Sequence, residues 1–252
     1  MPAERPPEQD VTVGEEALRK AEEFVEQEEG AVRRFSGWLQ ILITVVAVAM
    51  SLYHLYAAYA IIPAHILRAT HVGFVLFLLF LLFPASKRFR SRVQWFDIVL
   101  SLVGVAAIAY LLIDFDDFIE RAVTPNRWDL LFGIALILLV LEGVRRTSGW
   151  ILAGVVGIFI VYAFAGPYLP SPWTHRGYDV ERLVGQLYMT LEGIFGTPID
   201  VSATFIILFT IYGAVLAYSG AGEFFIDFSV AVTGGSRAAA ARAVVLASFL
   251  LG

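Results

Sequence analysis

Long apolar blocks alternate with short polar segments along most of the chain. Six blocks are long enough to cross a bilayer, and they occupy residues 37–62, 64–84, 95–113, 128–144, 149–165 and 199–218. A transmembrane helix needs roughly 17–25 apolar residues to cross a hydrocarbon core of about 30 Å. Because lipid does not tolerate unpaired backbone groups, these blocks cannot be open strands. The pattern predicts an all-α, polytopic membrane protein with about six transmembrane helices.

Two further segments have a pattern that does not fit a spanning helix. Residues 180–195 place apolar side chains on one face at helical spacing, which predicts an interfacial helix lying along the membrane surface. Residues 238–252 form an apolar run after a Gly-Gly break, too short to cross at about 1.5 Å per residue. Arg237 and Arg242 place its start at the inner surface, so we expect the first arm of a re-entrant hairpin. The alternative is an ordinary spanning helix that is cut short at Gly252.

Basic residues are concentrated in alternate loops, which predicts the orientation of the chain. They precede the first block and lie between the second and third and between the fourth and fifth; they are Arg33, Arg34, Lys87, Arg88, Arg90, Arg92, Arg145 and Arg146. The loop between the third and fourth blocks is mainly acidic. Since basic loops stay on the cytoplasmic side, the N-terminus is expected to be cytoplasmic.

Composition supports the membrane class and excludes several others. Hydrophobic residues make up 58% and charged residues 16% of the chain, whereas a soluble domain has about 25% charged residues. The absence of cysteine excludes disulfides and thiolate metal sites. Residues 1–34 hold ten acidic and five basic side chains and so carry the whole net charge of −5. We expect this segment to be an acidic cytoplasmic tail, with no nucleic acid as partner, because nucleic-acid binding relies on basic surface.

Small and charged side chains suggest local packing roles. Gly149, Ala153 and Gly157 form a ladder on one helix face, which would allow a neighbouring helix to approach closely. Glu142 lies three and four residues before Arg145 and Arg146, a spacing at which ion pairs form on a helix.

The helix ends also carry recognisable patterns. Thr124 and Thr197 each precede a proline and are expected to act as N-caps. Asp200 would then lie in a first helical turn, where the helix dipole favours an acid.

No enzyme motif is present in the sequence. It contains no phosphate-binding loop, no paired catalytic carboxylates and no nucleophile signature, so neither catalysis nor a resident metal or cofactor is expected. His54 and His71 fall at similar depth in the first two helices and could ligate a haem. A haem-carrying redox subunit, or a non-transporting membrane scaffold, is therefore the alternative to a transporter.

Several short segments, in the same order along the chain, carry a resemblance to a known family. They are Arg68-Ala69-Thr70-His71-Val72-Gly73-Phe74, Leu141-Glu142-Gly143-Val144-Arg145-Arg146, Tyr168-Leu169-Pro170, His175-Arg176-Gly177, Glu192-Gly193-Ile194-Phe195-Gly196-Thr197-Pro198, and the stretch from Val201 to Asp227. Over residues 35–252 the chain resembles the fused membrane permease of TRAP transporters, in the branch whose solute receptor is of the TAXI type.

The resemblance implies an architecture and a function. Residues 35–147 would be a four-helix domain like the small membrane subunit, and residues 148–252 would begin the large, elevator-type subunit. The implied function is uptake of small organic anions such as dicarboxylates, delivered by an extracytoplasmic solute-binding protein and driven by an ion gradient, with sodium as the coupling ion. The implied location is a bacterial or archaeal plasma membrane, where the chain contacts lipid on several passes.

The resemblance also implies candidate residues for substrate or ion binding. They are Ser202, Thr204, Ser219, Gly220, Ser248 and Gly252. The tip of the first hairpin would follow Gly252, so the chain is expected to be a fragment of a longer permease. A downstream reading frame without further hydrophobic segments would favour the scaffold alternative, and a haem absorption band would favour the redox alternative.

Overall fold

The computed structural model describes residues 32, 33, 35–89 and 92–233, together with the isolated positions 242, 245, 246, 248 and 249. Within this part the protein is helical and has no strand, which confirms the all-α class. The α-helices are α1 (Trp38–Tyr59), α2 (Ala64–Leu82), α3 (Trp95–Ile113), α4 (Phe115–Glu120), α5 (Arg127–Ser148), α6 (Trp150–Ala165), α7 (Val180–Tyr188), α8 (Thr197–Val201), α9 (Ile207–Tyr218) and α10 (Ala221–Thr233). A π-helical turn, Ser202–Ile206, joins α8 directly to α9.

Five stretches of the described chain are long and apolar enough to cross a membrane. They are Trp38–Tyr59, Ala64–Leu82, Trp95–Ile113, Trp150–Tyr168 and Thr197–Tyr218. Each coincides with a predicted block, and the third begins and ends at the predicted residues. The chain is therefore a multi-pass membrane protein.

Helix α5 forms where the fourth block was predicted but is not one of these five. It is 22 residues long, enough to cross the hydrocarbon core at about 1.5 Å per residue. Its ends carry five charged side chains (Arg127, Asp129, Glu142, Arg145 and Arg146), whereas none of the five apolar stretches has more than one. That α5 crosses the membrane stays a prediction.

The core lies between α2, α3 and α5, and α7 covers one end of it. Its fully buried side chains include Phe80, Leu111, Leu136 and Tyr188. Gly133 on α5 allows α7 to approach closely, since a Cβ there would meet the side chains of Val184 and Tyr188. The amphipathic face of α7 therefore packs against protein.

The predicted interfacial helix is shorter than expected. An amphipathic helix forms over Val180–Tyr188, but the prediction of helix over residues 189–195 is wrong. The amide of Ile194 donates to the carbonyl of Leu187 at 2.8 Å, which turns the chain back and buries Phe195. Gly193 permits this turn, because a Cβ at that position would collide with the backbone of Leu187.

The ladder on α6 has no close neighbour in the described chain. A Cβ added at Gly157 would have nothing within 4 Å, and the same holds at Gly149, whose φ of 84° serves the sharp junction between α5 and α6. Ala153 and Gly157 are only partly buried. A role of Gly149, Ala153 and Gly157 in close helix packing stays a prediction.

Both predicted threonine caps are wrong. Asn126 caps α5 instead of Thr124: its side chain accepts from the amides of Trp128 and Asp129. The N-cap of α8 is Gly196, so Thr197 is the first helical residue. The acidic tail lies outside the described residues as far as residue 31, as does most of the predicted hairpin arm at 238–252.

Candidate functional site

Four of the six predicted substrate- or ion-binding residues lie at opposite ends of the continuous helical segment formed by α8, the π turn and α9. Ser202 and Thr204 are in the π turn, whereas Ser219 and Gly220 follow the last residue of α9. Ser219 follows Ser202 by seventeen positions of helix, which corresponds to about 25 Å along the axis. Ser248 is an isolated, exposed helical position, and Gly252 lies outside the described residues. The structure does not bring these residues together.

Two of these hydroxyls are satisfied within their own helix. Thr204 donates to the carbonyl of Asp200 at 2.7 Å, and Ser219 donates to the carbonyl of Leu216 at 3.1 Å. Ser202 differs, because its hydroxyl lies 3.0 Å from Nε2 of His71 on α2. Of the candidates in the described chain, Ser202 is thus the one that links two separate elements.

A chain of polar side chains continues from Ser202 into the bundle. Nδ1 of His71 lies 2.9 Å from Nε2 of His54 on α1, and Nδ1 of His54 lies 2.7 Å from the carbonyl of Met50. Both histidines are buried, with 3% and 1% of their surface exposed. Three elements therefore meet through one hydrogen-bonded array, which we call the histidine junction (His54, His71 and Ser202).

An ion pair lies beside the histidine junction. Arg68 on α2 donates from Nε to a carboxylate oxygen of Asp200 and from a terminal nitrogen to the carbonyl of Phe195, each at 2.9 Å. Asp200 lies in the first turn of α8, as predicted. It also ties that helix to α2, a partner that the sequence pattern did not reveal.

The π turn gives this junction an unusual backbone. Residues Ser202–Ile206 are π-helical between two regular α-helices. The π-helix is rare, occurs mostly as a single turn inside an α-helix and is frequently found at functional sites. The turn begins at Ser202, the residue that contacts His71.

The histidine geometry does not suit a haem iron held between the two rings. At about 2.0–2.1 Å per metal–nitrogen bond, two imidazoles on opposite sides of one metal need about 4 Å between their ligating nitrogens. The facing nitrogens of His54 and His71 are 2.9 Å apart and bonded to each other. The described residues also contain no group of three or more His, Asp or Glu side chains placed to hold a metal ion.

A second polar cluster lies at the opposite end of the bundle and is centred on Asp97. Arg33 and Arg146 each lie 2.7 Å from one of its carboxylate oxygens. Glu142 pairs with Arg145 at 2.6 Å and with Arg146 at 2.8 Å, which confirms the two predicted pairs. The cluster joins the segment before α1 to the start of α3 and the end of α5.

The arginines of this cluster also bind the free carbonyls at the C-terminal end of α2. Arg33 donates to the carbonyls of Phe80 and Leu81, Arg145 to that of Ala85, and Arg146 to that of Phe83. A helix C-terminus carries partial negative charge, so cations are favoured there. Sequence reasoning explained Arg33 and Arg145 as loop charges and missed this role. The available clue was Asp97, an acid that directly follows a basic loop.

Buried groups also fix the end of the bundle near α7. Asp129 is fully buried and accepts from Arg121 at 3.2 Å and from the hydroxyl of Tyr110 at 2.8 Å. The hydrogen bond to Asp129 raises the pKa of Arg121 above its usual value. Tyr188 donates to the carbonyl of Ala107 at 2.6 Å, and burial raises the pKa of its phenol. These groups are therefore structural at neutral pH, with Arg121 charged and Tyr188 neutral.

Comparison with known proteins finds a family that is similar to the C-terminal part of the chain. Residues 135–252 match the family described as "Tripartite ATP-independent periplasmic transporter, DctM component". The match begins within α5 and includes α6 to α10 together with the π turn. No curated protein and no solved structure matches the chain significantly. Over residues 135–252 the chain is therefore similar to the DctM component of a tripartite ATP-independent periplasmic transporter, which supports a membrane permease of that transporter class.

Proposed function

We propose that the protein takes part in secondary uptake of small organic anions such as dicarboxylates, driven by an ion gradient with sodium as the coupling ion. The solute would be delivered by an extracytoplasmic solute-binding protein, and the chain would catalyse no chemical reaction. The match to the DctM component over residues 135–252 is the observation that carries this proposal. The TAXI type of receptor rests on the sequence resemblance alone.

The packing supports a fused permease in one chain. Residues 35–147 are proposed as the small-subunit-like part and residues 148–252 as the start of the large, transporting part. The two are joined by the histidine junction, by the Arg68–Asp200 pair and by Tyr188 bonded to α3. Direct bonds of this kind favour a first part that anchors the second in a fixed position.

The placement of the protein in the cell is part of the proposal. We place it in a bacterial or archaeal plasma membrane with a cytoplasmic N-terminus. The cluster around Asp97 supports this orientation, because it gathers Arg33, Arg145 and Arg146 at one end of the bundle, and basic residues favour the cytoplasmic side.

Transport can be measured in proteoliposomes. The chain, with whatever sequence follows residue 252 in its gene, is reconstituted together with the solute-binding protein encoded beside it. Uptake of labelled C4-dicarboxylate is then followed with an inward sodium gradient, with an equal proton gradient, and with neither. We expect uptake only when the binding protein and the sodium gradient are both present.

The outcomes separate the parts of the proposal. Uptake under the proton gradient alone would contradict sodium coupling, and uptake without the binding protein would contradict delivery by a receptor. A chain that binds its receptor but accumulates no organic anion under any gradient would instead act as a scaffold. A haem absorption band in the purified protein would favour the redox alternative, for which the His54–His71 geometry provides no site between the rings.

A further inference from the structure

The histidine junction fixes where its hydrogen atoms lie. A backbone carbonyl can only accept, so Nδ1 of His54, 2.7 Å from the carbonyl of Met50, must carry a hydrogen. In a neutral His54 the other nitrogen is then an acceptor, and Nδ1 of His71 must donate to it. Nε2 of a neutral His71 is an acceptor in turn, so the hydroxyl of Ser202 donates to it. Both histidines are thus Nδ1–H tautomers.

One additional proton fits into this array without breaking it. If the proton joins Nε2 of His54, that nitrogen donates to Nδ1 of His71, whose own hydrogen moves to Nε2. If it joins Nε2 of His71 directly, the bond between the rings is unchanged. In both cases Nε2 of His71 carries a hydrogen, and Ser202 turns from donor to acceptor.

A second proton does not fit. The two facing nitrogens, 2.9 Å apart, would then both carry hydrogens, and their hydrogen bond would be replaced by the repulsion of two adjacent cations. Like charges at such a distance strongly disfavour joint ionisation. The geometry therefore limits the two neutral rings to one additional proton between them.

In the described chain, no neighbouring acid or base is bonded to the two histidines, so the additional proton is shared only among the groups of the histidine junction. Arg68 and Asp200, the nearest charged side chains on α2 and α8, are paired with each other. On α1 the ring of Tyr53 meets that of His54 edge to face at 5.3 Å, and its buried hydroxyl has no hydrogen-bond partner among the described residues. His65, earlier on α2, contacts the rings of Phe115, Phe118 and Phe195. No carboxylate of the described chain hydrogen-bonds to either junction histidine.

We propose that His54, His71 and Ser202 form a binding site for a single proton where α1 and α2 meet the π turn, and that binding reverses the Ser202 hydroxyl. The site connects protonation with the contact between the first two helices and the last described span. This inference is independent of the proposed transport function, since it rests on hydrogen-bond geometry alone.

Nitrogen NMR tests the site directly. The chain is labelled with ¹⁵N in its imidazole rings, placed in lipid nanodiscs and followed by ¹⁵N NMR while the pH is lowered. It has four histidines, which are assigned with His54→Gln, His65→Gln and His71→Gln. We expect His54 and His71 to be Nδ1–H tautomers at high pH, and their signals to move together as the pair takes up one proton.

His175 is an internal control with the opposite tautomer. Its Nδ1 accepts from the amide of Gly177, and its Nε2 lies against the carbonyl of Tyr162, each at 3.0 Å. It should therefore be an Nε2–H tautomer in the same spectra. An Nε2–H tautomer at His54 or His71 at high pH would overturn the proposal. So would two independent protonations, or no protonation of the pair before the chain unfolds.

A pair of hydroxyl variants tests the role of Ser202. Ser202→Ala removes the group bonded to His71, whereas Thr204→Ala removes a hydroxyl that bonds only within its own helix. We expect the Nε2 signal of His71 to change in Ser202→Ala at every pH and to stay at its original position in Thr204→Ala. An unchanged His71 signal in Ser202→Ala would show that the serine does not belong to the site.

Discussion

Asp97 pairs with two buried guanidinium groups from distant parts of the chain. Its side chain and those of Arg33 and Arg146 are at most 1% exposed. Removing one member of such a buried group leaves uncompensated charge in a poorly solvated place, which costs about 3–5 kcal/mol. The stability of this end of the bundle therefore depends on one carboxylate.

Asp97→Asn should lower the stability by about 3–5 kcal/mol, because the amide keeps the shape but leaves buried Arg33 without its carboxylate and Arg146 with Glu142 alone. The measurement is thermal unfolding in detergent, where this loss corresponds to a fall in Tm of roughly 6–20 °C. Asp117→Asn is the matched control, since Asp117 is exposed and its change should stay within about 0.5 kcal/mol. Equal Tm values for the two variants would contradict the central role of Asp97.

At the scale of elements, α7 can pack closely against its neighbours because glycine stands at its tightest contacts. A Cβ at Gly185 would collide with the backbone carbonyl of Ala122, which belongs to the short turn before α5. A backbone group cannot move aside as the end of a flexible side chain can. The position of α7 therefore requires glycine here.

Gly185→Ala should destabilise the protein by about 1–3 kcal/mol, the usual cost of an added methyl group in a packed contact. Gly157→Ala is the matched control on α6, where a Cβ has nothing within 4 Å. Alanine has the higher helix propensity, so the control should be neutral or more stable by up to about 1 kcal/mol. Unfolding curves in detergent compare the two. If Gly157→Ala is less stable than Gly185→Ala, another helix packs closely against the ladder of Gly149, Ala153 and Gly157.

The start of α5 depends on a cap in which the side chains of Asn126 and Asp129 each accept from the backbone amide of the other residue. Asn126→Ala should cost about 0.5–2 kcal/mol, because the amides of Trp128 and Asp129 lose their acceptor. Thr124→Ala should change the stability by less than about 0.5 kcal/mol, since Thr124 is exposed and precedes the helix without capping it. If chemical unfolding shows the larger loss for Thr124→Ala, the capping assignment is wrong.

At the scale of the whole molecule, the orientation of the spans can be read with single cysteines, since the chain has none of its own. A membrane-impermeant maleimide added outside should label Asp117→Cys and Arg176→Cys but not Arg88→Cys or Ser148→Cys. The physical reason is the positive-inside rule, applied to the arginine-rich end of the bundle. The four positions are exposed in the structure. A cysteine that fails to react therefore lies on the side of the membrane that the reagent cannot reach.

Two outcomes would correct this topology. Labelling of position 88 from outside, with 117 protected, would invert the orientation. Labelling of 117 and 148 from the same side would show that α5 does not cross the membrane, consistent with its charged ends. Addition of the reagent to opened vesicles, where all four cysteines should react, serves as the control.

The sequence by itself determined where the long apolar helices lie and the ion pairs between residues three and four apart on one of them. Residues 95–113 were predicted as a helix to both ends, because a segment in lipid must satisfy its backbone internally and the number of apolar residues sets its length. The pairs of Glu142 with Arg145 and Arg146 were also predictable, since residues three and four apart on a helix are always neighbours.

Only the tertiary structure decided which helix faces meet. Ser202 and His71 are 131 residues apart in sequence, and Arg146 and Asp97 are 49 apart. No local period relates such positions. In a membrane the apolar pattern gives little help, because lipid-facing and protein-facing positions are equally apolar. The histidine junction, the cluster around Asp97 and the need for glycine at position 185 therefore emerge only when the helices are packed together.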